Sequence, residues 1–242
     1  MRWPKATIVN MLTVTTGSLI GLWFRQYFSA EVQEMVFQAV GLGTIVVGIK
    51  MSLRIPDGYL LIFMFSLILG AVTGQLTGLD SGITRISDML KSGIGNEDTA
   101  FTEGLVTAFL LFCIGSMTIV GALEEGLHDK RELLYVKSAL DGFSSIALAS
   151  TYGIGVLFSI LPMFLFQGGI TLLAPGLRNI FSEKVLNSLS ATGGVLIIGI
   201  SLNLLKVAEI NLENMLPSLL FICILSYYYE KYRSSKDAVV DT

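Results

Sequence analysis

Eight apolar runs, most of them near 20 residues long, follow one another along this chain, and charged residues fall almost wholly in the gaps between them. A helix needs about 20 apolar residues to cross the ~30 Å hydrocarbon layer of a bilayer. Backbone groups inside that layer must find their hydrogen bonds within the segment itself. The runs at 6–24, 35–54, 58–78, 103–122, 138–157, 158–176, 186–206 and 214–230 therefore predict an all-α integral membrane protein of about eight transmembrane helices. Composition agrees, since 52% of the 242 residues are hydrophobic and 14% charged, against about 25% charged in a soluble domain.

Several functions are disfavoured at once. The net charge is -3 and the basic residues form no stripe, so nucleic acid is not an expected partner. Cys113 and Cys223 lie inside apolar runs and read as small core residues rather than a disulfide or metal pair. His128 is the single histidine, which argues against a metal centre. No nucleophile–histidine–acid set, phosphate loop or dinucleotide fingerprint is present, so neither an enzyme nor a cofactor is expected. The amino terminus runs into the first apolar segment without a small-residue cleavage site, which predicts a retained helix.

Runs five and six are nearly fused, because no charge separates Asp141 from Arg178. The distribution of basic residues arbitrates between seven and eight spans. Eight spans with both termini cytoplasmic put 12 basic residues inside and 4 outside, namely Arg25, Arg85, Lys91 and Lys206. A re-entrant loop at 158–176 would instead divide them 8 and 8. The eight-span topology is therefore expected.

The two ends of the chain resemble each other. Laid without a gap, 7–54 over 158–205 pairs Gly17 with Gly168, Leu22 with Leu173, Gly43 with Gly194, Gly48-Ile49 with Gly199-Ile200 and Leu53 with Leu204. A charged linker falls between helices in both copies, Ser29–Glu34 against Ser182–Lys184. An offset of five spans gives the copies opposite orientations, the signature of many secondary transporters and some channels. The expected organisation is a first three-helix repeat at 1–79 and an outer polar loop with a central helix pair at 80–157. An inverted second repeat follows at 158–231, then a cytoplasmic tail at 232–242, with Ser234–Thr242 disordered. The polar segment Leu79–Glu103 is expected to hold a short amphipathic helix with Ile83, Ile86, Met89 and Leu90 on one face.

Polar groups inside the runs are nearly all neutral, and such groups serve either to replace a solute's hydration or to bond neighbouring helices. The candidate pathway set is Asn10, Gly43, Ser116, Thr118, Asp141, Ser144, Ser145, Gln167, Gly194 and Asn203. Asp141, four residues after Lys137, falls in the first turn of the fifth run. One reading is a helix-start carboxylate paired with Lys137; the other is a cytoplasm-facing cation site below Ser144 and Ser145, which Glu124 or Glu125 joins across the loop. On either reading no charge lies at mid-membrane. Gly41-Leu42-Gly43, Gly193-Gly194 and Gln167-Gly168-Gly169 are points where helices are expected to unwind. Gly17-x-x-x-Gly21 and Gly70-x-x-x-Gly74-x-x-x-Gly78 are flat strips for close packing, expected to include homo-oligomer contacts.

Phe112-Cys-Ile-Gly-Ser-Met-Thr118 with Gly121, Lys137-Ser-x-x-Asp141-Gly-Phe-x-Ser-Ile-Ala-Leu-Ala-Ser150, Gly153-Ile-Gly-Val, Gln167-Gly-Gly, Gly193-Gly-Val-Leu-Ile and Asn203-Leu together give the chain its family likeness. It resembles the YqgA/YdfK-like group of bacterial inner-membrane proteins of unknown function. The resemblance implies a multi-spanning protein of the bacterial cytoplasmic membrane and brings no activity or site residue. The physical reading leads to a small transport protein, carrier or channel, for a cation or small cationic or polar solute. The alternative is a non-transporting membrane scaffold or accessory subunit.

Overall fold

The computed structural model describes residues 3–27, 29–94, 100–114, 116–177 and 180–240. Its helices are α1 (Lys5–Arg25), α2 (Ala30–Ser52), α3 (Leu60–Thr77), α4 (Leu79–Ile94), α5 (Phe101–Cys113), α6 (Ser116–His128), α7 (Glu132–Tyr152), α8 (Gly155–Leu177), α9 (Glu183–Leu204) and α10 (Ser218–Val240). There is no strand among the described residues. α1, α3, α8 and α9 are long and apolar enough to cross a membrane, and the bent α5–α6 pair makes a fifth candidate. α7 falls short of that standard because Lys137, Asp141 and its serines lower its hydropathy.

Local chemistry sets the boundaries. Ser29 and Ser182 cap α2 and α9, each Oγ accepting from the backbone N–H three residues on, at 3.4 and 3.2 Å. Gly78 ends α3 at φ 62°, a left-handed conformation that glycine adopts without strain. Gly153, at φ 76° and ψ -150°, ends α7 at Tyr152. The fifth apolar run thus closes at Gly153 rather than at 157. Its helix also begins at Glu132 rather than 138, because Leu133, Leu134 and Val136 continue the apolar pattern.

Two further expectations need correction. The fourth run is not one straight span: α5 and α6 meet at 59°. Thr118 Oγ1 donates to the Phe112 carbonyl at 2.8 Å and so satisfies a group left free at the end of α5. The segment expected as a loose tail is helical as far as Val240, continuing α10. The amphipathic helix expected after Leu79 is present as α4, with Ile86 and Met89 exposed.

Glycine lets the helices close on one another. A Cβ on Gly17 would stand 2.2 Å from the Gly142 carbonyl oxygen, and one on Gly21 would stand 2.3 Å from that of Ile146. α1 and α7 therefore run parallel with backbones nearly touching. α2 and α9 run antiparallel, and a Cβ on Gly194 would stand 2.6 Å from Ser52 N. α3 and α10 are also antiparallel: Gly70 meets Ser218, and Tyr59 lies edge-on to Tyr229 with centroids 5.1 Å apart. Gly17, Gly21, Gly70 and Gly74 are thus consumed inside one chain and are not free for the oligomer contacts expected of them, whereas a Cβ on Gly78 would meet nothing within 4 Å. α9 is the most enclosed of the candidate spans, 78% buried against 17% for α3.

Successive contacts define two ends. At one, Ala6 bonds Glu125, and Gly126 packs on Thr171. At the other, Gly155 packs on Phe101, Gly104 on Tyr152, and Lys206 lies 3.8 Å from Glu34. The beginning of α1 and the beginning of α7 share the first end. The ends of α3 and α9 share the second.

Gly17→Val should force α1 from α7 and cost about 1–3 kcal/mol or more, as overpacking does. Gly43→Ala, whose Cβ would meet nothing within 4 Å, should leave stability unchanged or slightly raised. Thermal unfolding of the purified variants checks both.

Candidate functional site

Lys137, Ser138, Asp141 and Ser145 recur at three- and four-residue spacing and share the inward face of α7. Lys137 Nζ donates to Asp141 Oδ1 at 2.7 Å and to Oδ2 at 2.9 Å. Both residues are enclosed, with 6% and 5% of their surface exposed. At 1.5 Å per residue, Asp141 lies about 14 Å along α7 from Glu132. The helix-start reading is therefore wrong, because the helix dipole acts mainly within the first turn. The pairing with Lys137 holds, and the pair is interior rather than facing an aqueous surface.

Two other helices complete the cluster. Asn10 of α1 is wholly buried, and its Nδ2 donates to Asp141 Oδ2 at 3.0 Å and to Gln167 Oε1 of α8 at 3.1 Å. Met163 Sδ lies 3.5 Å from the same nitrogen. Gln167 sits in a π-helical turn, Phe164–Gly168, that follows Pro162. Proline lacks an N–H and crowds the preceding turn, and π turns widen a helix and recur at functional sites. Of the three points where helices were expected to unwind, this one departs from regular helix. α2 and α9 stay helical through Gly43 and Gly194. Asn10 Oδ1 and Gln167 Nε2 are buried without a hydrogen-bond partner, an arrangement that costs about 1–3 kcal/mol per group.

The remaining predicted residues lie elsewhere. Ser145 is buried, and its hydroxyl donates to the Gly142 carbonyl at 2.8 Å where α7 meets Gly17. Ser144 is exposed on another face of α7. Gly43 faces outward, and Gly194 is packed against α2. Thr118 braces the α5–α6 bend. The side chain of Ser116 lies outside the described residues. Asn203 clamps the chain after α9, donating to the Ile210 carbonyl at 2.7 Å and accepting from its N–H at 2.8 Å. Glu125 does not join Asp141: its Oε1 accepts from Ala6 N at 2.9 Å and Arg131 Nε at 3.0 Å. It ties the start of α1 to the α6–α7 loop. Met163 was not foreseen, and no sequence signal marks it out from other core methionines.

A polar cavity of about 800 Å³ opens at the second end, lined in part by Glu103, Asn203, Lys206, Glu209 and Glu213. A smaller one of about 140 Å³ shares Glu103, Asn203 and Glu213 and reaches Thr107 and Ile200. Asn211 of the larger cavity's lining donates to Asp80 Oδ2 at 3.0 Å, and the buried Asn214 accepts from Asp80 N at 2.9 Å and donates to Gln75 at 3.0 Å. The Ser81 amide and the Asn211 side chain hold the Asp80 carboxyl below its ordinary range.

Residues 5–227 match a family described as Protein of unknown function (DUF554), and the chain belongs to it. It is 35% identical over 217 residues to the Uncharacterized membrane protein YdfK of Bacillus subtilis (strain 168), covering 88% of this chain and 92% of that one. It is 24% identical over 223 residues to the Uncharacterized protein YqgA of Escherichia coli (strain K12), covering 90% and 94%. The resemblance read from the motifs is thereby borne out. No solved structure matches the chain.

Removing one member of a buried ion pair strands the other charge and costs about 3–5 kcal/mol, whereas replacing both with apolar groups is often neutral. Asp141→Leu and Lys137→Met should each lower the unfolding temperature sharply, and the double variant should recover most of the loss. Simple additivity in the double-mutant cycle would mean that the two side chains do not interact.

Proposed function

We propose that this member of the DUF554 family is a small transport protein that carries a cation or small cationic solute across the bacterial cytoplasmic membrane. The buried Lys137–Asp141 pair, tied to α1 through Asn10 and onward to α8 through Gln167, carries this reading. A charge at the bilayer centre costs at least ~2.5–3.5 kcal/mol, and charges kept there usually mark a substrate, ion or proton route. Helix adhesion alone needs no such expense. Close glycines supply it elsewhere in the chain, at Gly21 and Gly70 for example.

Other features support the same reading. The acidic opening at the second end would concentrate cations before they enter. On this reading α2, α7 and α10 cross as well as the five candidate spans, and with α5–α6 taken as one bent crossing successive helices alternate in direction. With Lys137 moved from loop to helix interior, nine basic residues flank the first end and four the second among the described residues. By the positive-inside rule this excess supports a cytoplasmic first end. α1 lies antiparallel to α8, α2 to α9 and α3 to α10, as a twofold axis in the membrane plane requires of an inverted repeat. The ion pair would then lie beside the α1–α8 contact, on the route between the halves. We assign no enzymatic role.

Reconstitution into liposomes tests the proposal. Uptake of sodium, potassium, lithium or a small organic ammonium ion should depend on the protein and fall at least tenfold in Asp141→Asn. A well-folded protein with no flux for any of these ions would instead support the scaffold reading.

A further inference from the structure

We infer that Asp141, Asn10 and Gln167 form a binding site for a bare monovalent cation, and that the Lys137 ammonium is a tethered substitute for that ion. The inference rests on the transport reading for its purpose and on geometry for its form. Asn10 Nδ2 stands between two oxygens, Asp141 Oδ2 at 3.0 Å and Gln167 Oε1 at 3.1 Å. The other end of the same amide, Oδ1, is buried and bonded to nothing, as is Gln167 Nε2. A half-turn of the Asn10 amide exchanges its nitrogen and oxygen. Three oxygens would then converge at roughly hydrogen-bond distance, an arrangement that repels itself unless a cation lies among them.

The ligand set also selects the ion. One carboxylate with two neutral oxygens balances a single positive charge, whereas divalent sites gather several carboxylates. Among the described residues no group of three or more His, Cys, Asp or Glu could hold a metal ion. The space gained by a turned amide and a withdrawn ammonium is that of a few atoms, which suits a dehydrated ion and not an organic cation. Neutral oxygens and a carboxylate can replace the lost hydration shell.

Lys137 makes the site an exchange device. Its ammonium contacts both oxygens of Asp141, so the carboxylate is neutralised when no ion is bound. One carboxylate cannot neutralise both an incoming cation and the ammonium in a medium of low dielectric. Ion and lysine therefore compete, and the Asn10 amide takes one orientation for each. Gln167 follows from a widened helical turn. The polar contacts joining α1, α7 and α8 would thus change with occupancy.

The test is thermal unfolding of the purified full chain in detergent at pH 8. Lithium, sodium or potassium chloride is exchanged for choline chloride at constant ionic strength. A ligand that binds only the folded state raises the unfolding temperature with its concentration. Lys137→Gln should be less stable than the natural chain in choline. It should regain stability in at least one alkali ion, with half-saturation at least tenfold below that of the natural chain. Asp141→Asn should lose the ion-specific rise. A folded Lys137→Gln that responds to every alkali ion as it does to choline would overturn the site. If Lys137→Gln does not fold, Asn10→Asp provides the reading: a carboxylate in place of the amide should tighten alkali-ion binding at least tenfold, and unchanged or weaker binding would overturn the site. Ion-specific stabilisation without flux in liposomes would keep the site and remove the transport reading. Flux without ion-specific stabilisation would do the reverse.

Discussion

An ammonium and a carboxylate held at 2.7 Å in a nearly water-free interior set the terms for everything around them. Neither charge could stand there alone, since an isolated ion in such a medium carries a penalty that exceeds most single interactions in a protein. Lys137 and Asp141 are four residues apart on one helix, so the pair lies wholly within α7 and needs no other helix to form it. What tertiary structure adds is the Asn10 amide, which meets the oxygen of Asp141 that the ammonium leaves partly unsatisfied.

Small residues make the approach possible. Asn10 has a short side chain, and it reaches Asp141 only because α1 lies almost backbone-to-backbone on α7 through Gly17, Gly21 and Gly142. The same device recurs where α2 meets α9 and where α3 meets α10. In lipid, where burial of apolar surface gives helices no net reason to associate, such close contact and buried hydrogen bonds carry the association. Packing and site are therefore one problem in this protein. The strips that hold the bundle together also set the distances within its polar cluster.

Much of this was legible in the sequence. The apolar runs marked out the helices, the Lys137–Asp141 spacing announced the ion pair, and Gly17 and Gly21 announced a close contact. Three things were not legible. Asp141 was placed in a first turn because charge at Glu132 and Lys137 resembles a loop, whereas Leu133, Leu134 and Val136 carry the helix back to Glu132. The partners of polar groups depend on which helices meet, so Asn10 and Gln167 stood undistinguished among many amides and hydroxyls. Asn203 and Thr118 were read as pathway groups for the same reason, yet each satisfies backbone groups at a chain bend. The glycine pairs at 43 and 194 did not unwind their helices, because one faces outward and the other is needed for contact.

The most direct measurement is nitrogen magnetic resonance of the lysine side chains in the protein reconstituted into bilayers, with Lys137→Gln providing the assignment. A buried, ion-paired ammonium predicts one lysine signal whose protons exchange slowly with solvent. That signal should vanish in Lys137→Gln and shift in Asp141→Asn. A Lys137 signal that exchanges as fast as that of loop residue Lys130, and that does not move when Asp141 is neutralised, would contradict the account.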